Sequence, residues 1–253
     1  MTQIFQYHQL KHFLNKEGLL HWKPREETQF EKLCSRPPTN KIIVKCYRMI
    51  QESVNNQLPW FTIRNQTWFS TQIEEQTWLT IFTKMMKSRS SIMLQEINYK
   101  FLTQWYRVPI NAHKFNSTNS PLCWRCEMEQ GTYQHIWWNC QRIEGFWREV
   151  ARIAERLSNV PLPFTPEKLL FFNIPFSLNK FKHSLLYYAL TAAKSVIAGL
   201  WRTHKRPSRR EWFMKIDNFH QMEELRMSTM GKLKQYLDTW EPWVSFLKTY
   251  PGP

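Results

Sequence analysis

The sequence predicts a mainly α fold, with helical bundle segments flanking a small module stabilised by a metal. Three observations predict it. Apolar residues recur at three- and four-residue intervals along most of the chain, which lines them up on single helix faces. Two T/S-x-x-E capping boxes mark helix starts. Three cysteines and one histidine fall within the eighteen residues from Cys123 to Cys140. A hydrophobic content of 42% and an aromatic content of 15% over 253 residues are sufficient for a sizeable core.

Beyond the Pro37-Pro38 break, Ile42, Ile43, Cys46, Met49 and Ile50 form the first apolar stripe, with Asn40 in the capping position. Thr71 and Glu74 make a capping box ahead of Trp78, Ile81, Phe82 and Met85. Between Ile92 and Trp105, the side chains of Ile97, Phe101, Leu102 and Trp105 share one side of a helix. Ile143, Phe146, Trp147, Val150, Ala154 and Leu157 give the clearest amphipathic helix. The one long apolar run, Ser184 to Trp201, carries Lys194 in its interior and is barely bilayer-spanning in length, so it reads as a buried helix and not a membrane span. Ser208 and Glu211 form the second capping box, before Trp212, Phe213, Ile216 and Phe219. Each stripe reads as core in preference to a cofactor pocket. The breakers Asn116 to Pro121 and Pro161, Pro163 and Pro166 divide the chain into segments 1–116, 117–160 and 161–253, the last with a disordered tail from Tyr250.

The chemistry is stated most plainly by CWRCEMEQGTYQHIWWNC. Cys123, Cys126, His135 and Cys140 stand in a C-x2-C-x8-H-x4-C pattern, the ligand set of one four-coordinate, structural zinc ion. The short gap lets one turn present two sulfurs, and Gly131 loosens the return path to the histidine. Ligand pairs of a two-cysteine, two-histidine finger are about a dozen residues apart, so the pattern is not that motif. With no fifth ligand nearby, the site has no open position for catalysis. The competing view, that these are ordinary buried cysteines, is weakened by their clustering with the histidine.

A formal charge of +15 makes a polyanion the first partner to consider. Five cysteines, with Cys34 and Cys46 isolated, argue against a disulfide framework and for a reducing compartment; no signal peptide is evident in MTQIFQYHQL. Asp217 and Asp238 are the only aspartates, and no cluster of carboxylates is available for two-metal phosphoryl transfer. Neither a phosphate-cradling glycine loop nor a G-x-S-x-G elbow is present, so the chain is expected not to be an enzyme by itself.

Lysine and arginine recur beside aromatic rings: Lys100-Phe101, Trp105-Tyr106-Arg107, Trp124-Arg125, Trp147-Arg148, Trp201-Arg202 and Arg210-Glu211-Trp212. Such pairs can hold phosphates and stack unpaired bases. The densest cluster surrounds THKRPSRR, with Arg202, Lys205, Arg206, Arg209 and Arg210, and its functional readings are phosphate contact or a nuclear-import signal. Arg125, Arg148, Arg202, Lys205, Arg206, Arg209 and Arg210 are therefore the candidate nucleic-acid contacts. Trp137 and Trp138, beside a metal ligand, are expected to pack the metal module.

The runs NYKFLTQWYRVP (98–109), SPLCWRC and GTYQHIWWNC, followed by Phe146-Trp147, resemble the region after the polymerase core of LINE-type non-LTR retrotransposon reverse transcriptases. FQYHQLKHF near the start, REWF (210–213) and HQMEEL (220–225) match in the same order, so the resemblance covers most of the chain. It implies a C-terminal part of the second open reading frame product: a thumb-side helical segment over 1–116, a zinc-binding module over 117–160 and a C-terminal segment over 161–253. It also implies RNA or target DNA as partner in target-primed reverse transcription. The missing polymerase region or another element-encoded protein is a further candidate partner. Location in the nucleus or in a cytoplasmic ribonucleoprotein follows from the same resemblance, with no membrane partner. Many vertebrate relatives place one more residue between the first two cysteines and one fewer before the histidine, so the turn at Cys123 is expected to differ in geometry. Two alternatives stay open: a zinc-stabilised protein-interaction module, and the product of a degenerate element copy without a selected role.

Overall fold

The computed structural model describes residues 2–18, 26–35, 42–53, 60–69, 72–86, 92–174 and 178–250. The chain divides into two units, Met1–Gln57 and Leu58–Pro253. Both boundaries drawn from the sequence, at 116/117 and 160/161, fall inside the second unit. The polar and proline-rich stretches there are surface connections within one body. Among the described residues the fold is mainly helical, with no β-strand beyond an isolated bridge between Leu122 and Gln130.

The first unit holds α1 (Thr2–Lys16), α2 (Gln29–Cys34) and α3 (Ile42–Ser53). A capping box not noted in the sequence reading opens α2: the Thr28 hydroxyl accepts from the Glu31 N–H, and the Glu31 carboxylate accepts from the Thr28 N–H at 2.7 Å. The α3 stripe is helical as expected but does not form a core, since Ile43 and Ile50 are exposed and Ile42, Cys46 and Met49 are half-buried. The Asn40 cap lies outside the described residues.

The second unit holds α4 (Trp60–Asn65), a 3₁₀ turn (Gln66–Trp68), α5 (Glu75–Met86), α6 (Ile92–Leu102) and α7 (Pro109–Phe115), then a π-helical turn (His135–Asn139). It continues with α8 (Gln141–Ser158), α9 (Pro166–Leu169), α10 (Lys180–Gly199), α11 (Arg209–Thr229) and α12 (Leu233–Thr249). Helix α10 lies at the centre, packed on α6, α8, α11 and α12. That surround explains its apolar run, because a helix enclosed on all sides needs no polar face. No helix among the described residues is long and apolar enough to cross a membrane.

All six residues of the α8 stripe are buried, as the spacing predicts. The α5 residues Trp78, Ile81 and Met85 are buried too, but the helix opens with the Glu74 carbonyl accepting from Trp78 N–H, and Thr71 of the expected box is outside the described residues. Ser208 and Glu211 make both reciprocal bonds of their capping box. Trp105 departs from the sequence expectation: α6 ends at Leu102, Gln104 adopts a left-handed backbone (φ 50°), and Trp105 emerges 69% exposed. Tyr250, counted with the tail in the sequence, packs on Phe246 and Phe213.

A polar network runs through this core. Lys194, 2% exposed, donates to the Asn98 carbonyl oxygen and to the Leu170 carbonyl at 3.1 Å, and its ammonium lies over the Phe101 ring. Asn98 donates in turn to Met85 O at 3.2 Å and to the Tyr187 hydroxyl at 2.9 Å. Burial holds the Lys194 pKa down at about 7, since a desolvated ammonium is costly.

Candidate metal centre

Cys123 and Cys126 sit on a tight turn. The Glu127 N–H donates to Cys123 O at 2.8 Å, the Arg125 N–H donates to the Cys123 sulfur at 3.4 Å, and Glu127 takes the left-handed conformation (φ 57°) that closes the turn. The chain returns through the Leu122–Gln130 bridge to Gly131, where a β-carbon would stand 2.3 Å from the Pro109 ring. Gly131 is thus required for close approach, which is a firmer role than loosening the path. The π-helical turn then sets the last spacing: the Cys140 N–H donates to His135 O at 3.0 Å, so the four intervening residues bring imidazole and thiol to the same side.

The four groups are buried and converge. Their ligand atoms all lie within 4.8 Å of one another, with Cys123 and Cys140 sulfurs 3.9 Å apart and Cys126 Sγ 3.3 Å from His135 Nε2. A tetrahedral ion with metal–sulfur bonds of about 2.3 Å would space its sulfurs roughly 3.8 Å apart. The cluster therefore fits one metal ion. Without an ion the groups share protons: hydrogen bonding with Cys140 pulls the Cys123 thiol down to about 3, and hydrogen bonding with Cys123 raises His135 to about 9. The bond to Cys123, with burial, pushes Cys140 up.

Two residues around the ligands were not assigned these roles from sequence. Glu129 Oε2 lies 3.2 Å from His135 Nδ1, fixing the ring so that Nε2 faces the sulfurs. Only the general habit of ligating histidines could have suggested it, because no fixed sequence offset marks such a partner. Arg125, expected to contact nucleic acid, is 5% exposed and donates from Nη1 to Ile136 O at 2.7 Å. Its Nε–H has no hydrogen-bond acceptor, and burial lowers its pKa, an effect that nearby Cys123, Cys140 and Cys126 only partly offset. A divalent ion held by three thiolates would carry one net negative charge, which this buried guanidinium would balance. Arg125 is therefore buried beside the candidate metal site and is not a surface contact.

Aromatic rings fasten the centre to the helices. Trp147 Nε1 donates to Trp137 O at 2.8 Å, and the Tyr133 hydroxyl donates to Phe101 O at 2.9 Å. Trp137 is fully buried against Phe101 and Trp201, and Trp138 leans on Trp147 and Phe164. Both tryptophans pack the module, as their positions suggest.

The remaining candidate cations divide. Arg209 donates to Glu149 Oε1 at 3.0 Å and to the Tyr250 hydroxyl, lying over that ring, so it ties α11 to α8 and to the residue after α12. Arg148 is exposed but paired with Glu144 and stacked on Phe164. Arg202, Lys205, Arg206 and Arg210 are exposed. Arg210 lies at the start of α11, and the loop that carries the other three touches the metal turn: His204 Nδ1 is 3.0 Å from Glu127 Oε1, and the Arg202 guanidinium lies over Trp124. The structure thus brings the metal ligands and four of the seven basic candidates onto neighbouring surfaces.

Compared with the models of known protein families, the chain matches none.

Proposed function

We propose that this chain is a non-catalytic nucleic-acid-binding C-terminal portion of a LINE-type retrotransposon reverse transcriptase. In this reading one structural zinc ion is held by Cys123, Cys126, His135 and Cys140. Three thiolates and one imidazole suit zinc and leave it no open position, so the ion serves the fold. The observation that carries the reading is the fastening of the exposed basic loop to the metal turn through His204–Glu127 and Arg202–Trp124. The metal turn contacts Arg202 and His204, and the exposed cations Arg202, Lys205 and Arg206 of this loop, with Arg210 at the start of α11, meet the phosphates of element RNA or target DNA. Arg148 adds its charge at the module's own helix. The motif resemblance along the chain supplies the family, and the scarcity of aspartate supports a binding role without catalysis.

The test is binding of single-stranded RNA by the purified chain across a salt series. Four phosphate contacts on a single strand give a slope of log K against log salt of about −3. Replacing Lys205, Arg206 and Arg210 with glutamine should flatten that slope and weaken binding. Affinity that scarcely changes with salt would overturn the reading and favour a protein-interaction module. Metal analysis of the same reduced, chelator-free sample should return about one zinc per chain; a sample without zinc would refute the assigned ion.

A further inference from the structure

Of the basic–aromatic pairs in this sequence, most place the ring in the core. Phe101, Trp147 and Trp212 are buried, and Trp124 and Trp201 are half-buried. The run Trp105-Tyr106-Arg107 differs. Trp105 is 69% exposed, Arg107 is exposed, and Tyr106 between them is half-buried against Trp137 and Trp201, which anchors the run to the metal module. The Trp201 indole N–H donates to Arg107 O at 2.9 Å and ties the same run down.

These residues line a cleft of about 320 Å³ between the end of α6 and the outer part of α7. Phe115, 77% exposed, lines the same cleft, with the Arg107 guanidinium over its ring at 4.8 Å. Lys114 and Asn111 line the cleft as well, and no carboxylate does. Two exposed aromatic side chains and two cations thus share one small concavity.

The backbone points to the same place. The Trp105 N–H donates to Lys100 O at 2.9 Å and the Gln104 N–H to Phe101 O at 3.1 Å, the paired bonds of a Schellman ending to α6. The left-handed position of that motif favours glycine, yet here it holds Gln104, whose backbone pays a steric cost. The Gln104 amide nitrogen donates to buried Asn65 at 3.0 Å, which fixes the side chain at the cleft wall. This strained ending turns Trp105 out of the helix stripe.

We propose that this cleft receives one unpaired base of a single-stranded nucleic acid, stacked on the exposed ring of Trp105, with Phe115 and the Arg107 guanidinium that covers it forming the cleft wall and Arg107 and Lys114 placing positive charge beside the adjoining phosphates. The inference rests on the nucleic-acid reading above and assigns it a base-binding site. Stacking on a ring face accepts any base, and the cations flank the ring where the backbone of a splayed nucleotide would run. A paired base offers no free face, so duplex is excluded from the cleft. The carbonyl of Gln104 and the amide of Asn111 stand at the walls as hydrogen-bonding groups for the base edge.

The experiment measures binding of fluorescent dodecamers by the full chain: oligoadenylate RNA, the matching DNA, and an RNA of the same length with abasic residues. Trp105→Ala should weaken oligoadenylate about tenfold while leaving the salt slope unchanged. Trp105→Phe should restore most of the loss, and the abasic strand should bind Trp105→Ala and the unaltered chain alike. Arg107→Gln with Lys114→Gln should reduce the salt slope. Equal losses on RNA and DNA assign the cleft to either strand, and a loss confined to RNA assigns it to RNA; both sustain the proposal. Salt-dependent RNA binding that Trp105→Ala and Phe115→Ala leave intact would overturn the base site and leave the wider reading standing. No RNA binding by the unaltered chain would overturn both. A lowered melting temperature, with equal losses on the abasic strand, would reduce Trp105 to a structural role and also overturn the site.

Discussion

At Gly131 the chain passes so near the Pro109 ring that a single methyl group has no room, and the contact is between a backbone and a ring that is itself buried. Gly131→Ala must push the metal turn away from α7. A loss of about 1–3 kcal/mol in denaturant unfolding is expected, the usual cost of overpacking. A neutral result would show that Pro109 yields freely. Arg125 answers a different question, because it is buried beside three cysteines whose charge, when they ligate a metal, would offset the cost of burying its cation. Arg125→Met keeps much of the volume and removes the cation, so metal affinity measured by chelator competition should fall about tenfold or more, within the range seen when partners outside the ligand set are lost. Retained affinity would mean that the guanidinium serves only its bond to Ile136 O. Neither role is legible from the sequence, where Arg125 reads as one more cation beside a tryptophan.

The helices show where local pattern suffices and where it does not. In α8 the stripe from Ile143 to Leu157 is wholly buried, and in α11 the Ser208–Glu211 box forms as its residues dictate. Ser208→Ala removes the acceptor for the Glu211 N–H and should lower stability by about 1 kcal/mol in thermal or denaturant melts. No change would imply that α11 is held wholly by packing. Helix α12 went unannounced because Pro242 lies in its interior, where the ring removes a hydrogen-bond donor. It persists because Tyr236, Trp240, Trp243 and Phe246 are all buried, each side chain contributing about 1.5–3 kcal/mol, enough to override one poor residue. The same logic runs the other way in α6. Its periodicity continues to Trp105, but the left-handed Gln104 ends the helix first and turns the last aromatic outward.

Across the second unit, Lys194 joins α10 to Asn98 on α6 and to the Leu170 carbonyl that follows α9. Its pKa is near 7 in the folded protein against an ordinary 10.5, so between those values the unfolded chain binds the extra proton and stability rises with pH. Below pH 7 the buried ammonium imposes a cost on the order of 5 kcal/mol. Lys194→Met should abolish the rise in stability measured by denaturant unfolding from pH 7 to pH 10; an identical rise in the variant would show that another group titrates. The sequence by itself determined the helical class, the α8 and α11 helices and the four metal ligands, because apolar period, capping and ligand spacing are local properties. Only the tertiary structure decided which cations face water and which are buried, that Trp105 stands outside the core, that Glu129 meets His135, and that residues 58–253 form one unit. Those outcomes depend on which distant surfaces meet, and burial, counter-charge and exposure belong to such meetings and not to any segment alone.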